Sequence, residues 1–318
     1  MTDAAIPAAP PPGSLRGTFK PREVEELVDF WVNRPLAAGL VKILAPLPIT
    51  PDQVTVLSGL VGLAGGVVVG AASLNFPWQV FVGGAIVYLS ILLDCADGQL
   101  ARLRGTSTMV GRALDGVVDV IPIAAVFLGF AALLLRSGYS FWLVNAVGWS
   151  AGVAYKWHVH GYDHAKNLYL HNVQPPDARK GALPTFEEIE EERQRYLARG
   201  DRLGAALLGV LAGVTRGQRT GWQVGRMGLD RPAMQTDAER EAYRDAFRFT
   251  MRLWSWNGVA SHYLVFLVAF LVAPFHRDVV LWVEAFLLGP MSLYTFLLHR
   301  ADRRIESDLA ARLGRASG

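Results

Sequence analysis

Residues 94–119 read DCADGQLARLRGTSTMVGRALDGVVD. Four aspartates stand in this stretch: Asp94 and Asp97, three apart, then Asp115 and Asp119, four apart. At those spacings each pair shares one face of a helix. The segments that carry them, 77–103 and 109–135, are each long and apolar enough to cross a bilayer, which takes ~20 apolar residues. The short RLRGTST turn makes the two helices antiparallel neighbours, with both pairs at the same depth. The spacing therefore predicts four carboxylates converging at one end of a membrane helix pair. Ionisable groups at such depth are costly and mark function.

Outward from this stretch the chain keeps the same character. Of its 318 residues 52% are hydrophobic and only 19% charged, below the ~25% charge of soluble domains. One cysteine, Cys95, excludes an internal disulfide, and a net charge of +3 gives no nucleic-acid footprint. Six spans are predicted, at 52–72, 77–103, 109–135, 139–160, 252–274 and 278–298. Gly59, Gly62, Gly65, Gly66 and Gly70 recur in the first, where small residues let backbones approach closely.

Odd and even connections differ in charge. The loops Ala72–Pro77, Arg136–Ser140 and Pro274–Asp278 hold two of the 31 Lys and Arg residues, Arg136 and Arg277. The positive-inside rule places the other side, with both termini and the aspartates, in the cytoplasm. In a bacterial cell this is the inner membrane. Trp78, Trp142 and Trp282 read as anchors at the external ends.

Six regions follow. Residues 1–20 are an Ala/Pro-rich flexible tail without the apolar core of a secretory signal. Residues 21–50 are an interfacial helix and elbow: Val24, Leu27, Val28, Trp31 and Val32 recur at helical spacing, and Arg22, Glu23, Glu25 and Glu26 form its polar side. Residues 51–160 hold the first four spans and 251–300 the last two. Residues 161–250 are a cytoplasmic helical insert with capping boxes at Thr185/Glu188 and Thr236/Glu239. Within it LGAALLGVLAGV is too short to span, and lies on the membrane or packs under the bundle. The run RGQRTGWQVGRMGLDRP reads as mobile, and 301–318 as a basic tail. The fold class is all-α: a polytopic membrane protein of six transmembrane helices, an interfacial helix and a cytoplasmic insert.

Four adjacent carboxylates repel one another unless cations are present. An oxygen-only donor set suits hard divalent ions, Mg²⁺ before Mn²⁺. Two such ions, ~3.5–4 Å apart, are an arrangement used in phosphoryl chemistry. Arg102 and Arg104 follow directly and are available to phosphate oxygens. A cation or proton transporter is the rival class, but it calls for acids near the midplane and repeated broken helices.

At these residues the chain resembles the CDP-alcohol phosphotransferases, whose signature is D-x2-D-G-x2-A-R-x8-G-x3-D-x3-D. Asp94, Asp97, Gly98, Ala101, Arg102, Gly111, Asp115 and Asp119 match it at every fixed position. The resemblance implies that Asp94, Asp97, Asp115 and Asp119 hold two Mg²⁺ ions. It implies that Asp119 is also the general base, so that the acceptor oxygen attacks the β-phosphorus of a CDP-linked donor and CMP leaves. Gly98, Ala101, Arg102 and Thr108 then fall at the donor. Members often read P-N-x-x-T at the first span; here Pro51, Asp52 and Thr55 stand with Asp in place of Asn. Asp52 and Thr55 are thus donor-site candidates, with a simple helix cap as the plain alternative for Asp52.

Members join CDP-diacylglycerol to small polar alcohols, or CDP-choline and CDP-ethanolamine to diacylglycerol. The first is the expectation here, with phospholipid biosynthesis as the setting and a homodimer as the family's common assembly. The run NRPLAAGLVKILAPLPITPDQVT looks like the inositol-phosphate-using branch, although that branch often has Arg where Val120 stands. Lys156, His158 and His160 are the candidates for a phosphorylated acceptor. His158, His160, His164 and His171 around Asp163 match no zinc spacing and read as a polar rim. Glu284 is expected to face the external interface or a partner helix, without a chemical role.

Overall fold

The computed structural model describes residues 23–72, 77–175, 185–221 and 233–314. The expected tail 1–20 lies outside them, as does the basic run beyond Gly221 as far as Pro232. Among the described residues there are helices and no strand. In chain order the α-helices are α1 (Arg34–Leu44), α2 (Pro51–Ala71), α3 (Gln79–Arg104), α4 (Met109–Val118), α5 (Val120–Arg136), α6 (Phe141–Val173), α7 (Phe186–Ala198), α8 (Arg202–Gly221), α9 (Asp237–Trp254), α10 (Val259–Val272), α11 (Val279–Phe286) and α12 (Ser292–Arg312).

The chain is a polytopic helical membrane protein. Five described segments are long and apolar enough to cross a bilayer: Pro51–Ala71, Gln79–Arg104, Met109–Arg136, Asp237–Val272 and Val279–Arg312. The expected count was six. The remaining expected span, 139–160, falls on α6, which is long enough but not among the five. Lys156, His158 and His160 dilute its apolar character. Helix α6 also runs unbroken past residue 160 to Val173, and α12 continues to Arg312 where a tail was expected.

Close helix contact on both sides of α2 draws the signature helices together. A Cβ at Gly66 would collide with the Ala125 carbonyl oxygen of α5, and one at Gly65 would lie 2.8 Å from the Val87 backbone nitrogen of α3. Only glycine permits such an approach. Aromatic rings fill the space between α5, α6 and α10: Phe127 meets Phe266 edge-on at 5.6 Å, and Phe130 meets it at 6.0 Å. A second core lies beyond the aspartate-bearing end, where α6, α9 and α12 continue together and bury Tyr169, Tyr243, Trp254 and Leu309. The capping boxes at Thr185 and Thr236 are both present.

The N-terminal segment departs from the expected surface helix. Trp31, Leu36 and Ile43 are exposed, as an interfacial face requires. Glu25 and Glu26, expected on its polar side, are buried. Glu25 pairs with Arg34 at 2.6 Å. Glu26 accepts the Ser261 N–H at 3.1 Å and so caps α10 from outside its own segment. A buried carboxylate is tolerated when hydrogen bonds and opposite charges meet it. Burial, with the Asp29 carboxylate beside it, holds Glu26 well above the usual carboxylate range. The Tyr162 hydroxyl ties the same segment down through the Val24 carbonyl, at 2.7 Å.

At the opposite end Trp78, Trp142 and Trp282 are exposed, as anchors would be. Glu284 is buried, with its Oε1 facing Gly148 of α6.

Candidate active site

Helix α3 ends at Gly105, whose φ of 65° is the left-handed cap that lets the chain reverse. The Thr106 N–H closes this end on the Ala101 carbonyl at 3.0 Å. Thr108 then opens α4, its hydroxyl accepting the Gly111 N–H at 2.9 Å. The turn sets Asp94 and Asp97 of α3 against Asp115 of α4. One carboxylate oxygen from each of the three lies within 4.8 Å of the others, a group that can hold a metal ion. The donors are oxygens alone, which is the chemistry of a hard divalent cation.

Asp119 joins the group through a hydrogen-bonding contact between its carboxyl and that of Asp94. It occupies a break between α4 and α5. Pro122 explains the break: without an N–H it cannot donate to the Val118 carbonyl, so the helix loosens one turn before it. Asp119 is exposed there, whereas Asp97 is buried. The break was legible in the sequence as a proline three residues after the last aspartate.

Thr55 of α2 donates its hydroxyl proton to Oδ2 of Asp97. Its Oγ also lies 3.2 Å from the Pro51 carbonyl. A hydroxyl has one proton, and the carboxylate is the stronger acceptor. Thr55 thus orients Asp97 from a buried position. Asp52 does not cap α2; Thr50 does, in a capping box with Gln53. Asp52 instead faces the start of α4, where a Cβ at Gly111 would sit 3.0 Å from both its Oδ1 and the Thr108 Oγ. Gly111 leaves room for those two polar groups.

Arg102 folds back along α3, its Nη1 3.4 Å from where a Cβ of Gly98 would stand. Arg102 therefore covers Gly98, one turn from Asp94 on the same helix. Arg104 does not join Arg102 there. Its guanidinium donates to the carbonyls of Ile49 at 2.5 Å and of Ala45 and Leu47 at 3.0 Å each. It fastens the elbow between α1 and α2 rather than facing phosphate.

The acceptor candidates separate. Lys156 is exposed and His160 half-buried, but His158 is fully buried. Its ring nitrogens lie 3.2 Å from His262 Nε2 and 3.0 Å from Ser292 Oγ, so both are engaged within the helix packing. Sequence reasoning missed Tyr155 and Tyr263, which lie within electrostatic reach of Asp119. They come from α6 and α10, distant in the chain, and nothing local marks them. An apolar groove lined by Gly84, Tyr88, Ile91, Leu264, Leu267 and Phe270 also opens between α3 and α10. Ile91 is one helical turn from Asp94.

Residues 48–160 match the family model described as CDP-alcohol phosphatidyltransferase. The match covers about a third of the chain. It is similar to the phosphatidylinositol phosphate synthase of Mycobacterium marinum, at 38% identity over 99 residues, which are 31% of this chain and 38% of the relative. The same-named protein of Mycobacterium tuberculosis is 35% identical over 99 residues, 31% of this chain and 41% of the relative. The archaetidylinositol phosphate synthase of Pyrococcus horikoshii is 35% identical over 91 residues, 28% of this chain and 45% of the relative. The chain thus spans about two fifths of the length of the curated relatives it matches. All eight signature positions lie within the matched segment.

Proposed function

We propose that this protein is a CDP-alcohol phosphotransferase that moves a phosphatidyl group from CDP-diacylglycerol to the hydroxyl of a small polar alcohol and releases CMP. The observation that carries the reading is the three-carboxylate cluster of Asp94, Asp97 and Asp115 with Asp119 beside it.

Asp94, Asp97, Asp115 and Asp119 would hold two divalent ions, Mg²⁺ by preference. When bound, these ions offset the charge of the donor pyrophosphate. Asp52 and Thr108, which Gly111 lets approach, and Gly98 receive the cytidine end of the donor, beside the small Ala101 side chain. Arg102 pairs with a donor phosphate oxygen. Asp119, exposed at the helix break, accepts the proton of the acceptor hydroxyl. The acceptor oxygen then forms a bond to the β-phosphorus, the bond from that phosphorus to the CMP oxygen breaks, and CMP carries the leaving charge.

The names of the relatives favour an inositol phosphate as acceptor. Lys156 and His160 are the side chains proposed to meet its phosphate. The cluster faces the cytoplasm on the charge distribution of the loops, and a homodimer is the proposed assembly.

Purified protein is incubated with CDP-diacylglycerol, Mg²⁺ and a panel of alcohols, and CMP is measured. CMP release with inositol phosphate above that with inositol or glycerol phosphate is expected. No CMP with any acceptor, or with CDP-choline and diacylglycerol, overturns the reading. Asp119→Asn is expected to keep donor binding and to stop turnover; full activity in that variant removes the general-base role.

A further inference from the structure

The hairpin of α7 and α8 lies outside the matched segment. One face of α8 is buried: Ala205, Leu208 and Ala212 are 3%, 0% and 6% exposed. This face packs with Ile189 of α7 and with Met109 and Val110, the first two residues of α4. The opposite face is apolar too. Leu203, Val210 and Val214 are 73%, 50% and 50% exposed. At 3.6 residues per turn they fall within about 40° of one another. A helix apolar all round belongs in a core or in lipid.

Helix α7 is its opposite in character. Glu187, Glu188 and Glu191 are exposed, and its arginines are held in i,i+3 pairs, Arg193–Glu190 at 2.8 Å and Arg195–Glu192 at 2.9 Å. Such a surface suits water. The junction of α7 and α8 is different: Arg199 and Arg202 are exposed before Leu203, and Asp201 between them accepts the Gly204 N–H at 2.9 Å. Met109 begins one of the five membrane segments. The inner face of α8 therefore touches the chain where that segment starts.

We propose that α8 is a lipid-contact helix whose Leu203, Val210 and Val214 sink into the leaflet at the aspartate-bearing end. Arg199 and Arg202 meet anionic headgroups there, and α7 stays on the water side. The occupant is a lipid surface with anionic headgroups, on two grounds: the helix packs by its inner face on the start of a membrane segment while its outer face stays apolar and exposed, and Arg199 and Arg202 stand beside the apolar stripe while the exposed glutamates lie on α7. The hairpin thereby braces the first turn of α4, which Thr108 caps, against the membrane. This inference needs only the membrane-spanning fold and stands whether or not the transferase reading holds.

The test uses the full chain with Cys95→Ser and one introduced cysteine, Leu203→Cys, Val210→Cys or Glu191→Cys. Each is spin-labelled and reconstituted in vesicles of phosphatidylcholine and phosphatidylglycerol. Collision with oxygen, which concentrates in lipid, is compared with collision with a water-soluble nickel chelate. Labels at 203 and 210 are expected to favour oxygen at least tenfold over the label at 191. Nickel access at 210 equal to that at 191 overturns the proposal. Exclusion of both relaxants at 210 also overturns it, since a second protein copy then covers the face. Depth at 210 that does not change when phosphatidylglycerol is omitted overturns the headgroup role of the two arginines.

Discussion

Replacing Thr55 by valine isolates how Asp97 is held. The two side chains are nearly the same size and both are β-branched, so the packing at this buried position stays filled. What disappears is the hydroxyl that donates to Asp97 Oδ2. Thr55 and Asp97 are each 4% exposed, so water cannot easily replace the lost donor. A hydrogen bond to a charged group contributes about 1.5–3 kcal/mol. At ~1.4 kcal/mol per factor of ten, the loss corresponds to roughly tenfold to a hundredfold in the affinity of the carboxylate cluster for its cation. CMP release measured against Mg²⁺ concentration is therefore expected to show a half-saturation point displaced upward by that factor, with the rate at saturating Mg²⁺ within a few-fold of the parent. Titration of Mn²⁺ by its spin resonance signal gives the same shift without turnover. Thr55→Ser keeps the hydroxyl and is expected to stay near the parent in both assays. An unchanged half-saturation point in Thr55→Val refutes the reasoning, as does a serine variant as impaired as the valine one.

Arg104→Ala leaves the carbonyls of Ala45, Leu47 and Ile49 without their donor, and a loss of about 1–3 kcal/mol in stability is expected from unmet polar groups. Thermal unfolding in detergent reads it, and Arg104→Lys is expected not to restore it, because one ammonium cannot replace the forked guanidinium. Gly66→Ala drives a methyl group into the Ala125 backbone; at least the ~1–3 kcal/mol of overpacking follows, visible as a lower unfolding temperature. Glu26→Ala removes the cap of α10 and is expected to destabilise the protein by about 1–3 kcal/mol, whereas Glu26→Gln retains an acceptor oxygen. The raised Glu26 carboxyl also sets a pH dependence. Between its unfolded and folded pKa values the folded state binds more protons, so its contribution to stability falls as pH rises above the ordinary carboxylate range. A scan of unfolding temperature against pH is expected to lose that slope in Glu26→Gln.

The four aspartates were legible because both signals they carry are local. An acid inside an apolar run is visible residue by residue, and spacings of three and four fix a shared helix face before any tertiary contact forms. The short turn then leaves little choice but an antiparallel pair. The same locality makes the capping boxes at Thr185 and Thr236 readable. Composition and apolar runs by themselves determined a helical membrane chain and the place of its carboxylates. The tertiary structure decided what no window of sequence contains. Glu25 and Glu26 read as a solvated face and are buried against Arg34 and Ser261. Arg104 read as a phosphate ligand and holds an elbow some 55 residues away in the chain. His158 read as an acceptor contact and is engaged by His262 and Ser292. In each case the side chain's chemistry was plain, but its partner lay on another helix. A charged or polar group goes wherever packing brings it a complementary one, and that pairing exists only once the helices are assembled.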